Sequence, residues 1–187
     1  MQDLSSHLAQ TLKTLREQRG WSLSQAADKT GVSKAMLGQI ERRESSPTVA
    51  TLWKIATGFN VAFSAFLEAA PWQQTAMLHR YGELPTFKQD NADMRVVPLF
   101  PFDRQLGFDM FVIDLAPGAL SESSPHEAGV IEHVIVINGQ LELAINGVWH
   151  SLTQGEAMRF QADCPHGYRN ASSAPVRFHD LIHYPQG

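Results

Sequence analysis

Apolar residues recur at Leu4, Leu8, Leu12 and Leu15, one stripe of a 3.6-residue period, so the chain opens with a helix that Gly20 ends. Ser22 is placed to cap a short helix, SLSQAADKT, which Gly31 terminates. Ser33 is placed to cap the next segment, SKAMLGQIERR over 33–43. That segment has little apolar surface for its length. Met36, Leu37 and Ile40 form one narrow stripe, which leaves Lys34, Gln39, Arg42 and Arg43 facing outward. Thr48, after Ser46-Pro47, is placed to cap VATLWKIATGF, and AFSAFLEA over 62–69 predicts a last short helix. Residues 1–70 therefore read as five short helices joined by tight turns.

Residues 71–95 show no period and carry several turn formers, so they read as a linker. From about 96 the period changes to that of strands. RVVPLFPF, FDMFVIDLA, EHVIVINGQLELAING, VWHSLTQGEAMRF and VRFHDLIHY are rich in β-branched and aromatic residues. Pro117-Gly118, Asn138-Gly139, Asn146-Gly147 and Gln154-Gly155 punctuate them, and Asn-Gly between apolar runs signals a hairpin. Many short strands without intervening helices predict an antiparallel barrel or jelly roll over 96–187. The fold class expected is α+β, with a helical unit followed by a β-barrel.

Charge supports the division. Residues 1–70 hold eight Lys+Arg against six Asp+Glu, and residues 71–187 hold seven against thirteen. Seven of the eight histidines also lie in the second part. A mildly basic front and an acidic, histidine-rich back predict different partners for the two. No run of eighteen apolar residues occurs, and the first twenty residues lack the apolar core of a signal peptide, so no membrane association is expected. The single cysteine, Cys164, excludes an internal disulfide and suits a reducing compartment, so the expected location is the cytoplasm.

The outward polar face of 33–43 is explained if this is the second helix of a helix-turn-helix, because only its other side packs on the domain. The stretch WSLSQAADKTGVSKAMLGQIERRESSPTVATLWKIATGFNV resembles the lambda-repressor-like XRE family over roughly residues 8–68. Its markers are Leu23-Ser24-Gln25, Gly31-Val32-Ser33, Gln39-Ile40-Glu41-Arg42, Pro47-Thr48 and Leu52-Trp53-Lys54-Ile55-Ala56. The resemblance implies a five-helix fold in which Lys34, Ala35 and Gln39 face base edges in the major groove. Lys34 then donates to guanine, Gln39 pairs with adenine and Ala35 touches a thymine methyl. Gln25 falls at a backbone-clamping position, and Ser33, Arg43 and Thr48 are expected phosphate contacts. Glu41 reads as structural, in a turn pair with Arg42. A symmetric dimer on paired half-sites would double the modest basic surface.

The segment from Pro117 to Tyr184 resembles the cupin family, whose fold is the double-stranded β-helix. Glu132 is followed seven residues later by Gly139, and His166-Gly167-Tyr168-Arg169-Asn170 matches the end of the second cupin motif, which Gly155 starts. His126 lies six residues before Glu132. It matches the first motif histidine, with Ala128 in the place of the second, or becomes the second if one residue is inserted. The ligand types implied are His126, Glu132 and His166. Two imidazoles and a carboxylate are the composition of the non-haem iron facial triad, and the set equally suits zinc or nickel with an open position. Glu132 and His133 point to opposite faces of one strand, so at most one faces inward, and Glu132 is the expected one. His179 or His183 would supply a further ligand if their face points into the barrel. Arg159 and Tyr168 are candidate effector contacts, and Cys164 reads as a barrel-rim residue.

Together the resemblances imply a helix-turn-helix and cupin transcription regulator. It would act as a homodimer on double-stranded DNA, with a barrel that senses a small metabolite such as an amino acid or sulfur compound. The alternative from another class is a non-haem iron oxygenase, since proteins with this domain pair include an iron-dependent epoxidase with two His and one Glu.

Overall fold

The computed structural model describes residues 4–66, 78–84, 86–88, 93–103 and 105–185. The chain divides into two compact units, Met1–Trp72 and Gln73–Gly187.

The first unit holds α1 (Leu4–Gln18), α2 (Leu23–Thr30), α3 (Lys34–Glu41), α4 (Val49–Gly58) and a 3-10 turn, Phe63–Phe66. Each of the three short helices starts on its expected cap. Ser22 Oγ accepts from Gln25 N while Gln25 Oε1 accepts from Ser22 N, a full capping box. Ser33 Oγ accepts from Met36 N at 3.2 Å, and Thr48 Oγ1 accepts from Thr51 N at 3.2 Å. Gly31, at φ +66°, closes α2 in the left-handed conformation that glycine adopts without strain. The core is Leu12, Leu37, Ile40, Leu52, Ile55, Phe59 and the phenylalanines of the 3-10 turn, each 1% exposed or less. Burying each such side chain stabilises the unit by about 1.5–3 kcal/mol, before entropy is subtracted. The expected fifth helix differs. Over 63–66 the backbone makes one 3-10 turn, too short for an α-helical run, and residues 67–69 of that expectation lie outside the described residues.

Glu41 also differs from expectation. Its carboxylate takes a two-pronged contact from Arg16 of α1, Nε to Oε1 at 2.6 Å and Nη2 to Oε2 at 2.9 Å. Arg16 Nη1 also donates to the carbonyl of Trp21 at 3.0 Å. Arg42 turns instead to Glu44, at 2.8 Å on both prongs. The end of α3 is thereby tied to α1 across 25 residues of sequence, a partnership that no local pattern reveals.

Among its described residues the second unit has ten strands: β1 (Phe87–Lys88), β2 (Met94–Asp103), β3 (Phe108–Leu115), β4 (Leu120–Ser123), β5 (Ile131–Asn138), β6 (Gln140–Ile145), β7 (Val148–Thr153), β8 (Ala157–Gln161), β9 (His166–Arg169) and β10 (Val176–His183). They form a six-stranded sheet, β1-β2-β3-β10-β5-β8, and a four-stranded sheet, β4-β9-β6-β7, with every pairing antiparallel. Asn146 and Gly147 both take positive φ, +50° and +78°, as a two-residue hairpin of the right twist requires. Burial alternates cleanly along β10, where Val176, Phe178, Asp180 and Ile182 face in and Arg177, His179, Leu181 and His183 face out.

The expected linker, 71–95, is in part structured. Tyr81–Glu83 is a 3-10 turn, Phe87–Lys88 pairs with β2, and β2 itself begins at Met94. Tyr81 is clasped against the outside of the six-stranded sheet. Its hydroxyl donates to Asp114, its ring lies 4.4 Å from the Arg177 guanidinium carbon and 4.8 Å from that of Arg95, and Arg177 Nε donates to Asp114 at 2.6 Å.

Candidate functional site

Lys34, Ala35 and Gln39 are all exposed on α3, while Leu37, Gly38 and Ile40 of the same helix are buried. Gly38 is closely approached: a Cβ there would lie 3.0 Å from Nη1 of the exposed Arg42 side chain and in ordinary contact, 3.6 Å, with Leu23 of α2. Gln25 and Ser33 are exposed at the starts of α2 and α3, and Thr48 is half-buried at the start of α4. Their caps leave backbone N–H groups of the first turns free, the arrangement that meets phosphate oxygens. Arg43 is exposed and left-handed, φ +63°, where its N–H closes α3 on the Ile40 carbonyl at 3.0 Å.

In the second unit a triad converges from both sheets. Glu132 lies on β5 and His166 on β9, and His126 comes from the loop between β4 and β5. A hydrogen bond from His126 N to the Ala162 carbonyl, 2.9 Å, holds that loop. Glu132 shares the inward parity of Val134 and Val136, and His133 faces the other way. Glu132 Oε1 lies 2.8 Å from His126 Nε2 and 3.4 Å from His166 Nε2. One donor atom from each residue lies within 4.8 Å of the others. His166 Nδ1 is bonded to the Cys164 carbonyl at 2.8 Å, which turns Nε2 toward the triad. Two ligands bound to one ion at ~2.1 Å each lie roughly 3.0–3.4 Å apart; the 3.4 Å pair has that spacing and the 2.8 Å pair is slightly short of it, so the set is one that could hold a divalent metal.

Burial opposes ionisation of Glu132, but hydrogen bonds from both imidazoles outweigh it and hold the carboxyl well below the ordinary range. Burial likewise disfavours the His166 cation, yet the hydrogen bond and charge of Glu132 raise its affinity for a proton. Tyr168 shares the inward face of β9 with His166, and its hydroxyl donates to Glu132 Oε2 at 2.5 Å. Burial first, then the charges of Asp180 and Glu132, pushes the Tyr168 hydroxyl well up, so it remains a proton donor.

Three expected barrel contacts are not brought to this site. His179 and His183 lie on the outward parity of β10, so neither reaches the triad. Arg159 is exposed on β8, where Phe160 takes the inward place and packs edge-on at 5.4 Å against His166. Asn170, which ends the second motif, is structural: its amide donates to the carbonyls of Leu115 and Ala174. Asp180 was missed. It stands at the inward parity of Phe178-x-Asp180-x-Ile182, and an acid in an apolar register was the available signal.

A helix-turn-helix model matches residues 12–66 and a cupin model matches residues 111–182. The chain belongs to the family of helix-turn-helix transcriptional regulators with a cupin domain. It is 55% identical to the HTH-type transcriptional regulator SutR of Escherichia coli K12, over 100% of this chain and 99% of that one. A crystal structure of an HTH_3 family transcriptional regulator from Vibrio cholerae superposes with a TM-score of 0.82 at 43% identity, covering 98% of both chains. The iron(II) form of HppE reaches a TM-score of 0.53 at 18% identity over 96% of this chain and all of its own, a likeness of fold alone. The full-length likeness to these regulators favours the regulator reading over the oxygenase alternative: the chain is a DNA-binding transcriptional regulator. No described helix is long and apolar enough to cross a membrane.

Proposed function

We propose that this cytoplasmic regulator binds paired half-sites of double-stranded DNA as a homodimer, and that its barrel holds one divalent ion and a small effector. Residues 1–70 are the DNA-reading unit. Lys34, Ala35 and Gln39 meet base edges, and Gln25, Ser33, Arg43 and Thr48 meet the phosphate backbone. The observation that carries this reading is the exposure of Lys34, Ala35 and Gln39 on a helix whose opposite side is fully packed.

The sensing unit is the barrel of residues 96–187, with the Tyr81 turn and β1 added to it. His126, Glu132 and His166 would hold zinc, iron or nickel. Such an ion supplies a Lewis-acidic point at which an anionic group of the effector binds. An amino acid or sulfur compound fits that chemistry, with its carboxylate toward the ion and its side chain toward the apolar walls. Effector binding that favours one dimer geometry changes the spacing of the two α3 helices, and coupling of this kind is worth about 1–3 kcal/mol, roughly 5–150-fold in affinity.

The test is a selection of bound genomic fragments followed by anisotropy titration. Lys34→Ala and Gln39→Ala should each cost about 1–3 kcal/mol on the selected site and little on random duplex. Arg43→Ala should weaken all sequences alike and flatten the salt dependence by about one phosphate contact. Unchanged affinity for the selected site in both base-facing variants would remove α3 as the reading element.

A further inference from the structure

Glu132 presents two oxygens to two different neighbourhoods. Oε1 faces both imidazoles, at 2.8 and 3.4 Å, and Oε2 is taken by the Tyr168 hydroxyl at 2.5 Å. Tyr168 is itself fixed: it is 3% exposed, and its ring stacks on Phe178 at 5.2 Å with an interplanar angle of 28°. Behind it lies Asp180, 2% exposed, with Oδ2 3.5 Å from the Tyr168 oxygen and Oδ1 without a hydrogen-bond partner. A hydroxyl carries one proton, and the shorter contact assigns it to Glu132. The Asp180 oxygen, at 3.5 Å, is the weaker of the two acceptors around the hydroxyl. Burial, then the charges of Glu132 and Asp109, pushes the Asp180 carboxyl well up.

We propose that Tyr168 is a positioning residue that reserves Oε2 of Glu132 and leaves Oε1 as a single-oxygen ligand for the metal. Without that hydroxyl, both carboxylate oxygens are free to turn to the ion, which occupies a coordination position that an effector would otherwise take. This inference rests on the metal reading of the barrel.

The experiment uses the full-length protein, cobalt(II) as the probe, chelator competition for affinity and the visible ligand-field spectrum for coordination. Circular dichroism of the metal-free proteins serves as the folding control. Tyr168→Phe should change the cobalt spectrum and shift cobalt affinity about 10-fold or more, the scale expected of outer-shell partners. Asp180→Asn, which leaves the shorter contact of the hydroxyl with Glu132 in place, should retain the wild-type spectrum. If Tyr168→Phe fails to fold, Phe178→Leu, which removes the ring that Tyr168 stacks on, carries the test, and a wild-type spectrum and affinity for it would overturn the inference. A folded Tyr168→Phe with wild-type affinity and spectrum overturns it alone. No cobalt binding by the wild type overturns the metal reading and this inference together.

Discussion

Replacing Arg16 with methionine removes the tie between α1 and the end of α3 while keeping most of the side chain's stem. Three hydrogen bonds are lost, two to Glu41 at 2.6 and 2.9 Å and one to the Trp21 carbonyl at 3.0 Å. Glu41 then keeps a carboxylate with a side chain only 9% exposed and loses the guanidinium paired with it. Breaking a buried ion pair by removing one member costs about 3–5 kcal/mol. Arg16 is itself 15% exposed, so water can partly replace it, which places the expected loss near ~3 kcal/mol. For a unit of this size that corresponds to a fall in Tm of roughly 12–24 °C. All four α-helices among the described residues lie in the first unit, so far-UV circular dichroism at the helical band reports its unfolding. The double variant Arg16→Met, Glu41→Leu replaces both charges with apolar groups and should recover to within about 1 kcal/mol of wild type. A loss below ~1 kcal/mol in the single variant, or a double variant no better than the single, would refute the pair as the tie holding α3.

The packing and the titrations give three further expected outcomes. Gly58→Ala improves helix propensity by about 1 kcal/mol, but the new Cβ would lie 2.6 Å from both the Lys29 carbonyl oxygen and Thr30 Cα, so α2 and α4 must separate and urea titration should show a net loss of ~1–3 kcal/mol. His126→Ala, measured by elemental mass spectrometry on untagged protein, should lose the roughly one divalent ion per chain that the wild type carries. In metal-free protein the His166 proton affinity is raised, so its stabilisation is complete below the ordinary imidazole value of 6.5 and fades as pH rises through the higher folded value. Glu132 is lowered, so its stabilisation is complete above 4.5 and fades only in strong acid. Thermal melts of the second unit in chelator should therefore show greater stability at pH 6 than at pH 8, and metal should reverse the order because protons compete for the same nitrogens.

The helical unit was legible along the chain because its information is local. Ser22, Ser33 and Thr48 each cap the helix that begins one residue later, Gly31 ends α2, and the narrow stripe of Met36, Leu37 and Ile40 marks a helix with one working face. The hairpins at Gly139 and Asn146-Gly147 were legible for the same reason, since positive φ restricts residue choice at those points. Short polar strands such as β1, β4 and β9 were not legible, because two to four residues carry too little period to be read. The identities of His126, Glu132 and His166 stood out by motif. Whether a given side chain of β10 or β8 enters the barrel depends on parity, and a shift of one residue reverses every choice, as it does for His179, His183 and Arg159. The partners that decide behaviour lie far apart in sequence: Arg16 with Glu41 over 25 residues, Tyr168 with Glu132 over 36, Tyr81 with Asp114 over 33. Sequence by itself determined the elements, their caps and the chemistry available. Only tertiary structure decided which carboxylate faces which base or cation, because a charge buried in the fold is stable only beside a partner that the fold brings to it.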